Sequence, residues 1–158
     1  MIPGTSRGPG TAEDDIVATP EEAYERLVQG FNDHDVDAIM ASYTQDAQLI
    51  TPDGELRGQA AIRAYWAVWL EAFPDITLTP TRRLCTGNTT VEEAVATGTH
   101  TGVLHSPQGD IPPTGKRIEV PYINVSTVEG GLVATDHNAW DRVAVLEQLG
   151  LIPAPAAT

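Results

Sequence analysis

Asp136 and Asn138 stand two residues apart in the run Leu132 to Trp140, and Tyr122 and Asn124 repeat that spacing in the run Arg117 to Val128. In an extended strand, residues i and i+2 share a face. One surface would then carry a carboxylate, two amides and a phenol. A carboxylate turned toward an apolar interior has its charged form disfavoured, which lifts its pKa toward working pH and suits it to act as a general base. Asp136 is the candidate base, and the competing reading is an exposed carboxylate near a strand end; His137 points the other way. His100, within Gly98-Thr99-His100-Thr101-Gly102, shares a strand face with Ala94, Ala96 and Leu104. Small neighbours leave room there beside an imidazole that can act as acid or hydrogen-bond donor, and the competing reading is a histidine tied to a loop carbonyl. Tyr43 offers a phenol able to donate to an oxyanion or an epoxide oxygen.

These residues need elements to hold them. Thr19-Pro20-Glu21-Glu22 is a helix start, with Thr as N-cap, Pro in the first turn and Glu three residues after the cap. Tyr24, Leu27, Val28 and Phe31 follow at helical spacing. A second stripe, Val36, Ile39, Met40 and Tyr43, predicts a short helix after Asp35. Ala47 to Thr51 reads as a short strand, turned by Pro52-Asp53-Gly54-Glu55, and a third helix opens near Gly58 and ends at Pro74. That helix carries Ile62, Tyr65, Trp66, Trp69, Leu70 and Phe73 along one side. From there the period is two, predicting strands at Ile76 to Thr86, Val91 to Leu104, Arg117 to Val128 and Leu132 to Trp140. A short helix, Arg142 to Leu149, is capped by Asp141. The expected fold is α+β: three N-terminal helices on a curved, mainly antiparallel sheet, forming a half-open cone. Phe31, Tyr43, Tyr65, Trp69 and Trp140 could line its mouth, although aromatic residues at helical spacing are more often core. The strands carry apolar residues on both faces, so helices are expected over one face and a second subunit over the other.

Composition narrows the partners. Nine Lys and Arg against 22 Asp and Glu leave a net charge of -13, which opposes a phosphate backbone and excludes nucleic acid as the expected partner. Cys85 is the single cysteine, so no intramolecular disulfide is possible, and no His, Cys or carboxylate group has metal-ligand spacing. No apolar run reaches the roughly 20 residues of a membrane helix, and the acidic N-terminal stretch does not read as an export signal. The expectation is a soluble cytoplasmic protein without metal. Residues 1–18 and 153–158 read as flexible tails around one domain at 19–152.

With its elements placed, the chain resembles the SnoaL-like polyketide cyclase family, within the nuclear transport factor 2-like fold that also contains ketosteroid isomerase. The resemblance rests on Phe31-Asn32 and Asp35, Gly58 with Ala61-Ile62-Arg63, and Ala72-Phe73-Pro74-Asp75. It continues through Gly98 to Gly102, Pro112-Pro113-Thr114-Gly115, Trp140-Asp141 and Leu146-Glu147-Gln148-Leu149-Gly150. It implies a cofactor-free pocket in which an acid or base near the end of the last strand moves a substrate proton, and it sets Phe31 and Tyr65 facing that pocket. Counting back from Asp141 puts Asn138 where the cyclases carry a catalytic Asp, and an amide takes no proton at neutral pH. Asn124 falls near a position where some cyclases have His. A two-residue turn at Gly130-Gly131 would set Asn124 opposite His137, whereas a three-residue turn from Glu129 sets it beside Asn138 or Asp136. The family's hairpin carries a bulge glycine there, and the three-residue turn is the reading adopted.

The resulting expectation is an enzyme that cyclises or isomerises a polyketide-like or aromatic intermediate. Asp136 and His100 would be its proton-transfer pair, and Phe31, Tyr43, Tyr65, Trp69, Tyr122, Asn124, Asn138 and Trp140 would contact a small hydrophobic or aromatic substrate. Epoxide opening with ring closure suits this equipment, and aldol-type closure is the alternative chemistry. Asn138 also prompts an alternative of another class, a non-catalytic ligand-binding member of the fold. A homodimer without cofactor is the expected assembly.

Overall fold

The computed structural model describes residues 17–155. The tail expectations for residues 1–16 and 156–158 lie outside the described residues. Helix α1, Pro20–Asn32, opens as its cap sequence dictates: the Thr19 hydroxyl accepts the Glu22 N–H, and Tyr24, Leu27, Val28 and Phe31 are buried. Helix α2, Val36–Ala41, is capped by the Asp35 side chain and ends two residues short of the expected stripe. Tyr43 instead opens strand β1, Tyr43–Thr51, which is longer than the expected Ala47 to Thr51. Tertiary pairing decides this. The Val133 N–H donates to the Ser42 carbonyl, and Tyr43 pairs with Val133, so a distant strand captures residues whose local pattern was helical. Strand β2, Gly54–Arg57, completes a hairpin, and helix α3, Gln59–Ala72, buries Ile62, Trp66 and Ala72.

Strands β3 (Thr77–Thr86), β4 (Thr89–Thr99), β5 (Arg117–Glu129) and β6 (Leu132–Trp140) follow, then helix α4, Arg142–Gln148. The sheet has six strands in the order β2-β1-β6-β5-β4-β3, antiparallel throughout except where β1 runs parallel to β6. β4 stops at Thr99, short of the expected Leu104, because the chain turns to dock on the end of α3. Gly102 donates its N–H to the Ala72 carbonyl, and a Cβ there would lie 1.9 Å from the Glu71 carbonyl oxygen. His100 therefore sits just past the strand, and Leu104 pairs with Ile111 within the loop that follows.

The β5–β6 hairpin corrects the expected turn. Glu129 pairs with Leu132, so the turn has two residues, Gly130 and Gly131, both at positive φ (57° and 80°), as a two-residue hairpin of this hand requires. The register nevertheless sets Asn124 opposite Asn138, because Thr127 pairs with Thr135 and Val128 with Val133. Ala134 is thus the extra residue of a β-bulge, and it supplies the one-residue shift expected from a longer turn.

Candidate active site

The inner faces of β4, β5 and β6 form cross-strand rows. Thr90, Ser126 and Asp136 make one; Glu92, Asn124 and Asn138 the next; Ala94, Tyr122 and Trp140 the third. All but Trp140 are buried. The first two rows form a polar floor beneath α1, and the third begins an aromatic chamber.

Asp136 is the centre of the floor. Its relative exposure is 1%. Tyr43 donates its hydroxyl to Oδ2 at 2.5 Å and the Asn124 amide donates to Oδ1, while the Ser126 hydroxyl lies 2.5 Å from the Asn124 Oδ1 and 3.4 Å from the Asp136 Oδ1. The Tyr43 oxygen in turn accepts the indole N–H of Trp66 at 3.1 Å. Burial pushes the Asp136 carboxyl above the usual carboxylate range, while these neutral donors support its anion and limit the rise. The phenols of Tyr43 and Tyr122 are held well above their ordinary pKa by burial, with the Asp136 charge adding to the effect. Both are therefore donors rather than bases at neutral pH.

Asn138 is 2% exposed, and neither atom of its amide has a hydrogen-bond partner among the described residues. Its row contains a residue that sequence reasoning missed: Glu92, fully buried, is held at Oε2 by the Arg83 guanidinium, whose Nε lies 2.7 Å away. Burial raises the Glu92 carboxyl and Arg83 opposes that rise. Strand alternation with Ala94 and Ala96 was the available signal for Glu92. Ser126 and Trp66, also unassigned from sequence, are brought to Asp136 and Tyr43 only by the folded arrangement.

His100 lies apart from this floor. Its Nδ1 accepts the Thr114 N–H at 3.2 Å, its ring stacks on Phe73 with centroids 5.2 Å apart, and its backbone binds Lys116 and Gly115. It is buried, and burial pushes its pKa down. Nδ1 and the backbone of His100 thus hold the 114–116 end of the loop, and Nε2 is buried without a hydrogen-bond partner among the described residues.

Two cavities lie above the floor. The inner one has about 50 Å³ of free space and apolar walls that include Phe31, Trp66, Ala96, Val120 and Tyr122. The outer one has about 660 Å³ and is bounded by Leu56, Val68, Leu104, the tip of the 101–116 loop and Arg142. Tyr65, Trp69, Trp140 and Val145 line both. Trp69 and Trp140 meet edge to face at 5.3 Å. Of the residues expected at a site, Phe31, Tyr65, Trp69, Tyr122 and Trp140 line a cavity. Asp136, Asn124 and Tyr43 form the network behind the wall, Asn138 lies in the floor beside it, and His100 sits at the loop base. Among the described residues no group of three or more His, Cys, Asp or Glu could hold a metal ion, and no helix is long and apolar enough to cross a membrane.

Residues 24–135 match the SnoaL-like domain family. No protein of curated function matches the chain. IdmH from Streptomyces antibioticus, a proposed polyketide cyclase, aligns with a TM-score of 0.69 at 26% identity, over 83% of this chain and 98% of its own. AclR from Streptomyces galilaeus, a proposed hydroxylase, gives 0.73 at 20% identity, over 87% and 84%. A protein of ketosteroid isomerase-like fold from Catenulispora acidiphila gives 0.70 at 19%, over 89% and 100%. The last two likenesses speak for the fold, a cone of helices on a curved sheet. With the match spanning more than half of its residues, the chain belongs to the SnoaL-like domain family.

Proposed function

We propose that the protein is an enzyme that cyclises or isomerises a polyketide-like or aromatic intermediate by general acid–base chemistry, with Asp136 as its base and no cofactor. One observation carries the reading. Asp136 is a buried carboxylate whose hydrogen-bond donors among the described residues are all neutral, a phenol, an amide and a hydroxyl, behind the wall of an aromatic chamber. A carboxylate serving only the fold is commonly paired with a cation, as Glu92 is with Arg83. One left without such a partner, with a raised pKa, is suited to take a proton near neutral pH.

The chain Trp66 to Tyr43 to Asp136 links the chamber wall to the base. Tyr122, a phenol in that wall close enough to feel the Asp136 charge, is the donor that would support a developing oxyanion or an opening epoxide oxygen. The acid role expected of His100 is not part of this proposal, because His100 lines neither cavity and its Nδ1 faces Thr114 in the loop. A homodimer belongs to the same reading, through the outer face of the sheet.

The test is ring closure by the purified protein on aromatic epoxides and poly-keto compounds, followed by mass spectrometry. Asp136→Asn should lower turnover by about 10²-fold or more. Full activity in that variant would falsify the assignment of the base. A second reading, ligand binding without turnover, is favoured by one specific fact: Asp136 lines neither cavity. Absence of turnover on every compound that binds would select it.

A further inference from the structure

An amide can meet a carboxylate with either of its ends, and one hydroxyl decides which end Asn124 presents to Asp136. Asn124 and Ser126 are 0% exposed and Asp136 is 1% exposed, so bulk water does not compete for their hydrogen bonds. Ser126 stands opposite Asp136 across β5 and β6, and Asn124 lies two residues along β5 on the same face. The Ser126 Oγ is 2.5 Å from the Asn124 Oδ1 and 3.4 Å from the Asp136 Oδ1. A hydroxyl has one proton to give. At these distances it goes to the amide oxygen, and the amide N–H is then turned toward Asp136. With the amide turned over, its carbonyl oxygen would face the carboxylate. A charge-assisted hydrogen bond, about twice as strong as a neutral one, would be exchanged for a repulsion.

The other carboxylate oxygen is served in the same way. The Tyr43 oxygen accepts the Trp66 indole N–H at 3.1 Å, and its own proton is given to the Asp136 Oδ2 at 2.5 Å. Each of these two donors to Asp136 therefore has a further donor behind it. Both carboxylate oxygens face protons, so the arrangement fits the anion, and an acid O–H in its place would have to displace a donor.

We infer that Ser126 is a positioning residue for the base: its hydroxyl locks the Asn124 amide with the N–H on Asp136, and so holds Asp136 ready to accept a proton. Ser126 lines neither cavity and acts through Asn124. Its part in turnover rests on the reading of Asp136 as the base, whereas the lock itself can be measured without turnover. The other titratable groups around Asp136 are the phenols of Tyr43, Tyr24 and Tyr122, kept neutral by burial, and the Glu92–Arg83 pair one row along the sheet. His137 acts on it from the outer face of its own strand. The Ser126 hydroxyl bonds none of them.

Carbon-13 NMR titration of the purified chain, with the Asp136 carboxyl assigned by its loss in Asp136→Asn, tests the lock. Ser126→Ala frees the amide to turn, and the Asp136 midpoint should move to higher pH. Ser126→Thr, which keeps a hydroxyl on a strand residue, should restore it. Ser126→Cys keeps the shape but offers only a weak donor, so it should move the midpoint upward as alanine does. It also guards against the alanine variant failing to fold, which circular dichroism would reveal. In an Asn124→Ala background, Ser126→Ala should give less than about a third of the shift that it gives alone, because the group it acts through is gone. Equal shifts in the two backgrounds would mean that Ser126 acts directly on Asp136, and would overturn the inference. So would a midpoint that stays in place in both Ser126→Ala and Ser126→Cys. The catalytic reading fails separately: full turnover by Asp136→Asn sinks the base and leaves the titration results standing.

Discussion

At the residue scale, the behaviour of Asp136 turns on opposing influences that mutation can separate. Burial raises its pKa in the folded chain, and the Tyr43 hydroxyl is the first of the donors that hold it down. Removing that donor in Tyr43→Phe should raise the Asp136 pKa further, moving the acid limb of the kcat/KM profile to higher pH. It should also cost about 1–3 kcal/mol of stability in urea unfolding, since Asp136 Oδ2 and the Trp66 N–H both lose a buried partner. An acid limb that stays in place would mean that another group sets it. Stability reads the same group with a definite sign. Because the folded-state pKa lies above the unfolded value, the folded chain binds this proton more tightly. Its contribution is most favourable below the unfolded pKa and declines as pH rises through the folded value. Asp136→Asn should accordingly melt at the same or a slightly higher temperature than wild type at pH 7, with the gap closing as the pH is lowered into the carboxylate range. Melting curves across that range would expose a purely structural Asp136 by an early collapse of the variant at neutral pH. Sequence alternation put Asp136 and Asn138 on one face of their strand and left open whether that face or the one carrying His137 points inward. That its donors include Tyr43 was not legible, because the two lie 93 positions apart and meet only through the parallel pairing of β1 with β6.

At the element scale, the β5–β6 hairpin sets which residues face the cone. The single extra residue Ala134 converts the register of a two-residue turn into one that brings Asp136, Asn138 and Trp140 inward. Deleting Ala134 should remove the bulge and leave Thr135 opposite Thr127 and Asp136 opposite Ser126, so that Asp136 stays inward and His137 outward. The expected result is that the near-ultraviolet circular dichroism of the packed tryptophans persists, and its loss would show that the hairpin needs the bulge to hold this register. The turn itself is more constrained than its two glycines suggest. A Cβ on Gly131 would lie 2.8 Å from the Val17 side chain in addition to sitting at φ 80°. The same element shows how far local pattern reaches: its strands could be read from alternation, and which of their faces turns inward depended on the register. The bulge could not be read, because a one-residue insertion leaves no mark in a period-two pattern that restarts beyond it.

At the scale of the whole molecule, the sheet has two unlike faces. Helices cover the inner one. On the outer one Leu84, Ile123, Val125 and Leu132 are exposed, at 59%, 45%, 40% and 37%. An apolar surface of this kind on a chain of net charge -13 is suited to a self-complementary interface that buries it around a two-fold axis. Sedimentation at micromolar concentration should give twice the 16.9 kDa chain mass, and Ile123→Lys with Val125→Asp should convert the dimer to monomer. Wild type sedimenting only at the single-chain mass would remove the dimer from the proposal. Salt should have little effect if apolar burial is the main attraction.

Amphipathic spacing, capping residues and two-residue alternation were enough to place α1, α3, α4 and the bodies of the last four strands, and to put Tyr122 with Asn124 and Asp136 with Asn138 on shared faces. Each of those signals is local, and local sterics and burial set each period. What the tertiary structure alone decided is everything that depends on residues distant in the chain meeting. Tyr43 was drawn from a helix into β1 and onto Asp136. Glu92 was buried against Arg83 across a strand pair. His100 was set against Thr114 and Phe73, and aromatic residues from α3 and β6 met to divide the cone into an inner and an outer cavity. Such contacts follow from strand register and packing volume, which no period in the sequence encodes.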